Sequence, residues 1–186
     1  MPSAPTSTTL ARQWVPERSL VSDAGLVIAF SLFTALMAHI AIPLPFTPVP
    51  ITGQTFAVLL TGAALGARLG TASMLAYIAE GVIGLPVFAA APGAASYGYL
   101  AGFVVAAFII GWFADRGWTR DPQHTVVAMI AGEVAIYVFG LLWLARFVPV
   151  SQVLALGLFP FLIGDAIKLA AAVAVLPAGW RLSRTR

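Results

Sequence analysis

Four ionisable side chains, Glu80, Glu133, Asp165 and Lys168, lie inside otherwise apolar runs of this 186-residue chain. A charge at the centre of a spanning helix costs at least about 2.5–3.5 kcal/mol on insertion scales, so such residues are kept for pairing, ligand contact or ion passage. Asp165 and Lys168 are three apart and therefore neighbours on one helix face. Together they offer a hydrogen-bond acceptor and a cation at one place on the helix. The competing reading is mutual neutralisation that lets their helix insert. For Glu80 the competing reading is solvation near the interface, and for Glu133 a structural hydrogen-bonded tie. Gln54, Tyr99 and Tyr137 add neutral hydrogen-bonding groups to this set. Tyr97 and Tyr99 also fit an aromatic belt at a membrane surface.

The segments that carry these groups must be helices in a membrane. Residues are 60% hydrophobic and only 9% charged, far from a soluble-domain balance. The apolar runs are continuous rather than alternating, which excludes a transmembrane barrel, and in lipid the remaining way to satisfy the backbone is helical. The polar stretch 1–22 reads as a tail and residues 24–42 as the first helix. Pro43, Pro45, Pro48 and Pro50 then forbid helix and impose an extended loop. Further helices are expected at 54–66, 71–85, 97–114 and 125–147, with a Gly/Pro/Ala loop at 86–96. Pro160 breaks the last segment into a short outer helix at 151–157 and a final helix at 160–180. The expected architecture is an all-α membrane protein of six transmembrane helices, divided into a cytoplasmic tail (1–22), a six-helix domain (23–181) and a basic C-terminus (182–186).

Arginine placement orients that bundle. With six spans, Arg12, Arg18, Arg68, Arg116, Arg120, Arg181, Arg184 and Arg186 fall on one side and Arg146 on the other. This is a positive-inside pattern with both termini cytoplasmic. At about 1.5 Å rise per residue, Asp165, Lys168 and Glu80 then lie roughly 8, 12 and 8 Å below the outer face, and Glu133 near the midplane. Gln54 and Tyr99 open their helices from the outer side, and Tyr137 lies in the outward half of its own. Polar groups from five helices thus gather into an outward-facing ligand pocket. Gly62, Gly66 and Gly70, and separately Ser31 and Ala35, have the four-residue spacing that brings helices close.

Several chemistries are unsupported. No cysteine exists for thiolate metal sites, and His39 and His124 have no ligand spacing. The chain has no GxxxxGK[ST] loop and no HExxH, Ser–His or Asp–Asp constellation, so neither catalysis nor ATP hydrolysis is expected of it. Neither a metal nor a cofactor is expected. The scattered arginines are an orientation signal, not a nucleic-acid patch.

The runs PLPFTPVPITGQTF (43–56), LLTGAALGARLG (59–70), GVIGLPVFA (81–89), GYLAGF (98–103), EVAIYVFGLLWL (133–144) and FPFLIGDAIKLA (159–170) together resemble the BioY family. This family comprises the substrate-capture (S) components of energy-coupling-factor (ECF) biotin transporters. The resemblance covers most of the chain beyond the tail, with PVPITGQT and GDxxK its most specific parts. It implies a multi-pass protein of the bacterial inner membrane that captures biotin for uptake, with residues 43–53 as a lid. The expected partners are biotin, membrane lipid, a transmembrane coupling protein and ATPase subunits, with ATP used only by those partners. Asp165, Lys168, Glu80, Gln54, Tyr99, Tyr137 and Glu133 are the expected biotin-binding residues. Ser31 and Ala35 match the family's helix-1 contact with the coupling subunit, with serine in place of the first alanine. A solitary or oligomeric biotin transporter, or an S component for another vitamin, remain the alternatives.

Overall fold

The computed structural model describes residues 9–15, 19–89 and 93–184. Parts of the expected tail (1–8 and 16–18, with Arg18), residues 90–92 of the 86–96 loop, and Arg186 lie outside the described residues.

A short helix α1, Leu10–Trp14, precedes the first long helix α2, Leu20–His39. Ser19 starts α2. Its hydroxyl accepts from the Ser22 N–H at 3.1 Å, while the Ser22 hydroxyl accepts from the Ser19 N–H at 2.9 Å. This reciprocal cap satisfies donors that a helix start otherwise leaves open, and it draws Leu20 to Asp23 into the helix ahead of the expected start. The proline-rich stretch is more ordered than a plain extended loop. Ala41–Ile42 (β1) pairs antiparallel with Ile51–Thr52 (β2), Ala41 opposite Thr52 and Ile42 opposite Ile51. The four prolines fall between the strands, where no ladder donor is required.

Helix α3, Gln54–Leu65, and helix α4, Ala67–Val82, are separated by Gly66 alone. Gly66 has φ +82°, which disfavours any Cβ, and a Cβ there would also run into the Asp115 carboxylate. Asp115 accepts the Ala67 N–H at 3.0 Å and so caps α4 from another element. That is why α4 begins before the expected residue 71. Helix α5 occupies Tyr97–Ala114 as expected. Helix α6, Pro122–Leu144, starts earlier than expected, with Asp121 accepting from the His124 N–H at 3.0 Å and Pro122 in the first turn. A short helix α7, Val153–Gly157, leads into α8, Leu162–Arg184.

Helix length and composition by themselves mark fewer spans than the six expected. Among the described residues, α2, α5 with its preceding turn, and α6 are the helices long and apolar enough to cross a membrane, and the bent pair 150–157 with 162–176 makes a fourth if taken as one span. At 12 and 16 residues, α3 and α4 reach only about 18 and 24 Å against a hydrocarbon core of about 30 Å. The break at Gly66 is the cause.

Helix α5 is the axis of the bundle, packed against α3, α4 and α6. Between apolar helices in lipid, close approach and dispersion drive association, and small residues supply the approach. A Cβ on Gly62 would meet the Ala107 carbonyl at 2.9 Å, one on Gly102 the Ile136 Cα at 2.7 Å, and one on Gly70 the Gly62 Cα at 3.2 Å. The glycine spacing therefore serves packing inside the bundle.

The two ends of the bundle differ. At one end the Trp180 indole N–H donates to the Thr119 carbonyl at 3.1 Å, Leu10 is buried, and the Arg120 guanidinium lies 4.8 Å from the Trp180 ring centre. Trp180 is thus a buried tie, 5% exposed, and not the belt residue its place near a helix end suggests. At the other end the Thr47 hydroxyl donates to the Leu156 carbonyl at 2.7 Å and the Trp143 indole to the Ala94 carbonyl at 2.7 Å. Gly111→Leu drives a side chain into the backbone of Gly66 and Ala67. It is expected to lower stability by about 1–3 kcal/mol or more, read as an earlier detergent-solubilised melting transition; an unchanged transition would contradict the tight α5–α4 approach.

Candidate ligand-binding site

At the end where the three connections 40–53, 83–96 and 145–161 gather, a cavity opens between α3, α5, α6 and α8. Phe88, Leu100, Phe103, Ile136 and Phe161 form apolar wall, and Val49, Pro50 and Thr52 from the β1–β2 connection cover it.

One polar cluster interrupts that wall. The Lys168 ammonium donates to Asp165 Oδ1 at 2.8 Å and to the Thr55 hydroxyl at 2.9 Å. Thr55 in turn donates to the same Asp165 oxygen at 3.1 Å, and the Tyr137 hydroxyl donates to Asp165 Oδ2. The Asp165 and Lys168 side chains are only 10% and 17% exposed. A buried ion pair is tolerated when further hydrogen bonds satisfy both partners, and Thr55 and Tyr137 do this for Asp165. Mutual neutralisation within α8 is therefore part of the arrangement, yet both groups still face the cavity.

Gln54 and Tyr99 also line this cavity. The Gln54 amide donates to the Tyr77 hydroxyl at 2.7 Å and accepts from the Thr52 hydroxyl at 2.9 Å, which leaves one N–H and one lone pair for other partners. The Tyr99 hydroxyl donates to the Gly157 carbonyl at 2.8 Å and so ties α5 to the end of α7. It retains only acceptor capacity.

Of the seven expected binding residues, Asp165, Lys168, Gln54, Tyr99 and Tyr137 are brought together here. Glu80 and Glu133 are not on the cavity wall. Glu80 accepts from the Ser31 hydroxyl at 2.8 Å across the α2–α4 contact. Glu133 is buried on α6, with no hydrogen-bond partner on either carboxylate oxygen. Ser31 and Ala35 are themselves buried against the chain's own helices, 0% and 7% exposed. Within the bundle the Ser31 hydroxyl faces Glu80, and the small residues admit α4. Thr55, Thr52 and Tyr77 went unnoticed in the sequence. Thr55 adjoins Gln54 in the PITGQT run and was within reach of inspection, whereas Tyr77 lies mid-helix with nothing local to mark it.

Fold and site define a class: a helical membrane protein with a largely apolar cavity at one end and an ion pair in its wall. The profile of the BioY family matches residues 7–185. A relative from Pyrococcus horikoshii named a probable biotin transporter BioY is 36% identical over 159 residues, 82% of this chain and 93% of that protein. One from Thermotoga maritima named biotin transporter BioY is 35% identical over 157 residues, 80% and 92% of the two chains. The crystal structure of the S-component for biotin from an ECF-type ABC transporter superposes with a TM-score of 0.78 at 25% identity, covering 91% of this chain and 96% of that one. The chain belongs to the BioY family. The relatives' names denote transport and not catalysis.

Tyr77→Phe strips the partner from the buried Gln54 amide, and an orphaned buried donor costs about 1–3 kcal/mol. A lower melting transition is expected, largely restored in Tyr77→Phe/Gln54→Leu where both polar groups are gone. Equal melting of wild type and Tyr77→Phe would show that this bond contributes nothing.

Proposed function

We propose that this chain captures biotin at the outer face of a bacterial inner membrane, as the S component of an ECF transporter. The observation that carries this reading is the Asp165–Lys168 pair, held by Thr55 and Tyr137 in the wall of an otherwise apolar cavity. Biotin's ureido ring supplies N–H groups for Asp165, and Lys168, 2.8 Å from that carboxylate, holds it in place as their acceptor. Its thiophane ring and valeryl chain match the Phe88, Phe103 and Phe161 surfaces. Gln54 and Tyr99 contribute neutral hydrogen bonds through the capacity they retain. Glu80 and Glu133 act from outside the wall, without direct ligand contact. The β1–β2 connection, pinned by Thr47 to α7, is the covering lid.

The same reading has the helices cross the membrane six times, with α3 and α4 as short crossings inside a locally thinned bilayer. Both termini are cytoplasmic and the cavity faces outward. Support comes from Arg68, Arg116 and Arg120, which share the end opposite the cavity, while Arg146 lies at the cavity end. A coupling membrane protein and ATPase subunits supply the energy, since the chain has no phosphate-binding loop of its own.

Equilibrium dialysis with labelled biotin tests the ligand. Retention by the wild type is expected, with Asp165→Asn and Lys168→Ala each losing about 1.5–3 kcal/mol of charge-assisted hydrogen bonding, roughly 10- to 150-fold in Kd. No retention by folded protein, or undiminished retention by both variants, overturns the assignment. Because the chain has no cysteine, single Ser151→Cys and Arg116→Cys variants report orientation. A membrane-impermeant maleimide applied to whole cells is expected to label the first and not the second; the reverse pattern inverts the topology.

A further inference from the structure

Glu133 is a buried carboxyl, 8% exposed, and both of its oxygens are covered and lack a hydrogen-bond partner. Such a group costs the full desolvation penalty, so its presence calls for a state in which it is met. Its position indicates by what. Helices α6 and α8 pack together and run antiparallel, with Tyr137 on α6 bonded to Asp165 on α8. Four residues back along α6 is Glu133, on the face of Tyr137; three residues on along α8 is Lys168, on the face of Asp165. Both steps lead away from the cavity mouth, by about 6 Å and 4.5 Å respectively. Glu133 and Lys168 therefore stand at one level on adjoining helices, and the charged side chains that act on Glu133 are Asp165 and Lys168.

Asp165 is nearly saturated. A carboxylate offers about four acceptor positions, and three are filled by Lys168, Thr55 and Tyr137. A ligand bringing two N–H groups to it displaces one of these donors. Lys168 has two of its three N–H groups engaged and a second carboxyl at its own level. We propose that Lys168 serves two carboxyls in turn, Asp165 in the empty cavity and Glu133 once ligand donors occupy Asp165. Glu133 is then a positioning residue that acts on the ligand through Lys168. The ligand step rests on the reading of the cavity given above, while the Lys168–Glu133 exchange does not.

Asp165→Asn mimics the engaged carboxylate and needs no ligand, so a stability cycle tests the exchange by itself. Glu133→Gln alone is expected to leave the melting temperature unchanged or raised, and Asp165→Asn alone to lower it modestly because Glu133 accepts the ammonium. In Asp165→Asn/Glu133→Gln the ammonium has no carboxyl left, and the fall is expected to exceed the sum of the singles by about 5 °C or more. If the double variant does not fold, adding Lys168→Met is expected to recover it, since no buried charge then remains. Additive singles, or no recovery on adding Lys168→Met, overturn the exchange. For the ligand step, labelled-biotin dialysis is expected to give a Kd about tenfold weaker in Glu133→Gln, partly restored in Glu133→Asp and absent as a further effect in a Lys168→Ala background. An unchanged Kd, or a full tenfold effect in that background, defeats the ligand step. Failure of the wild type to retain biotin would defeat the biotin reading and leave the stability cycle to decide the exchange.

Discussion

A carboxylate drawn into an apolar bundle must be met by donors, and Asp165 is where this requirement organises the molecule. Its two oxygens receive Thr55 from α3, Tyr137 from α6 and Lys168 from its own helix. Three helices far apart in sequence are thereby held at one level. Desolvation makes the pair expensive when incomplete and rigid when complete. The cavity wall is consequently stiff at the point where a ligand's polar groups have to be read.

The rest of the bundle stays close enough for that cluster because α5 presents small residues on several sides. Gly102 admits α6 and Gly111 admits the α3–α4 break, while on α3 Gly62 lets α5 approach. Close approach at the closed end is compatible with an opening at the other, where the long connections 40–53, 83–96 and 145–161 gather. Tyr99 and Thr47 both donate to carbonyls near the end of α7. Those two bonds fasten the covering segments without filling the space beneath them.

Much of the helical order was legible along the chain because its signals are local. The prolines at 43–50, Gly66 and Pro160 each punctuate the backbone through their own geometry, with little reference to what packs nearby. Helix starts moved at caps left unread, local ones at Ser19 and Asp121 and a distant one where Asp115 caps α4. The break near Gly66 was expected, and it leaves α3 and α4 shorter than an ordinary span. Ser31 and Ala35 have a spacing equally suited to an outside partner and to the helix that in fact covers them.

The sequence by itself determined that this is a helical membrane protein, since 60% apolar residues in continuous runs leave no other way to satisfy the backbone. It also marked Asp165 and Lys168 as a pair, because their separation of three is a local fact of helix geometry. Only the tertiary structure decided which of the costly polar groups reach the cavity. Tyr137 and Thr55 arrive there, Glu80 is spent on Ser31, and Glu133 stands unpartnered one turn below Tyr137. Depth along a helix can be counted from residue number, whereas the direction in which a side chain faces depends on how its helix is rotated by all the others.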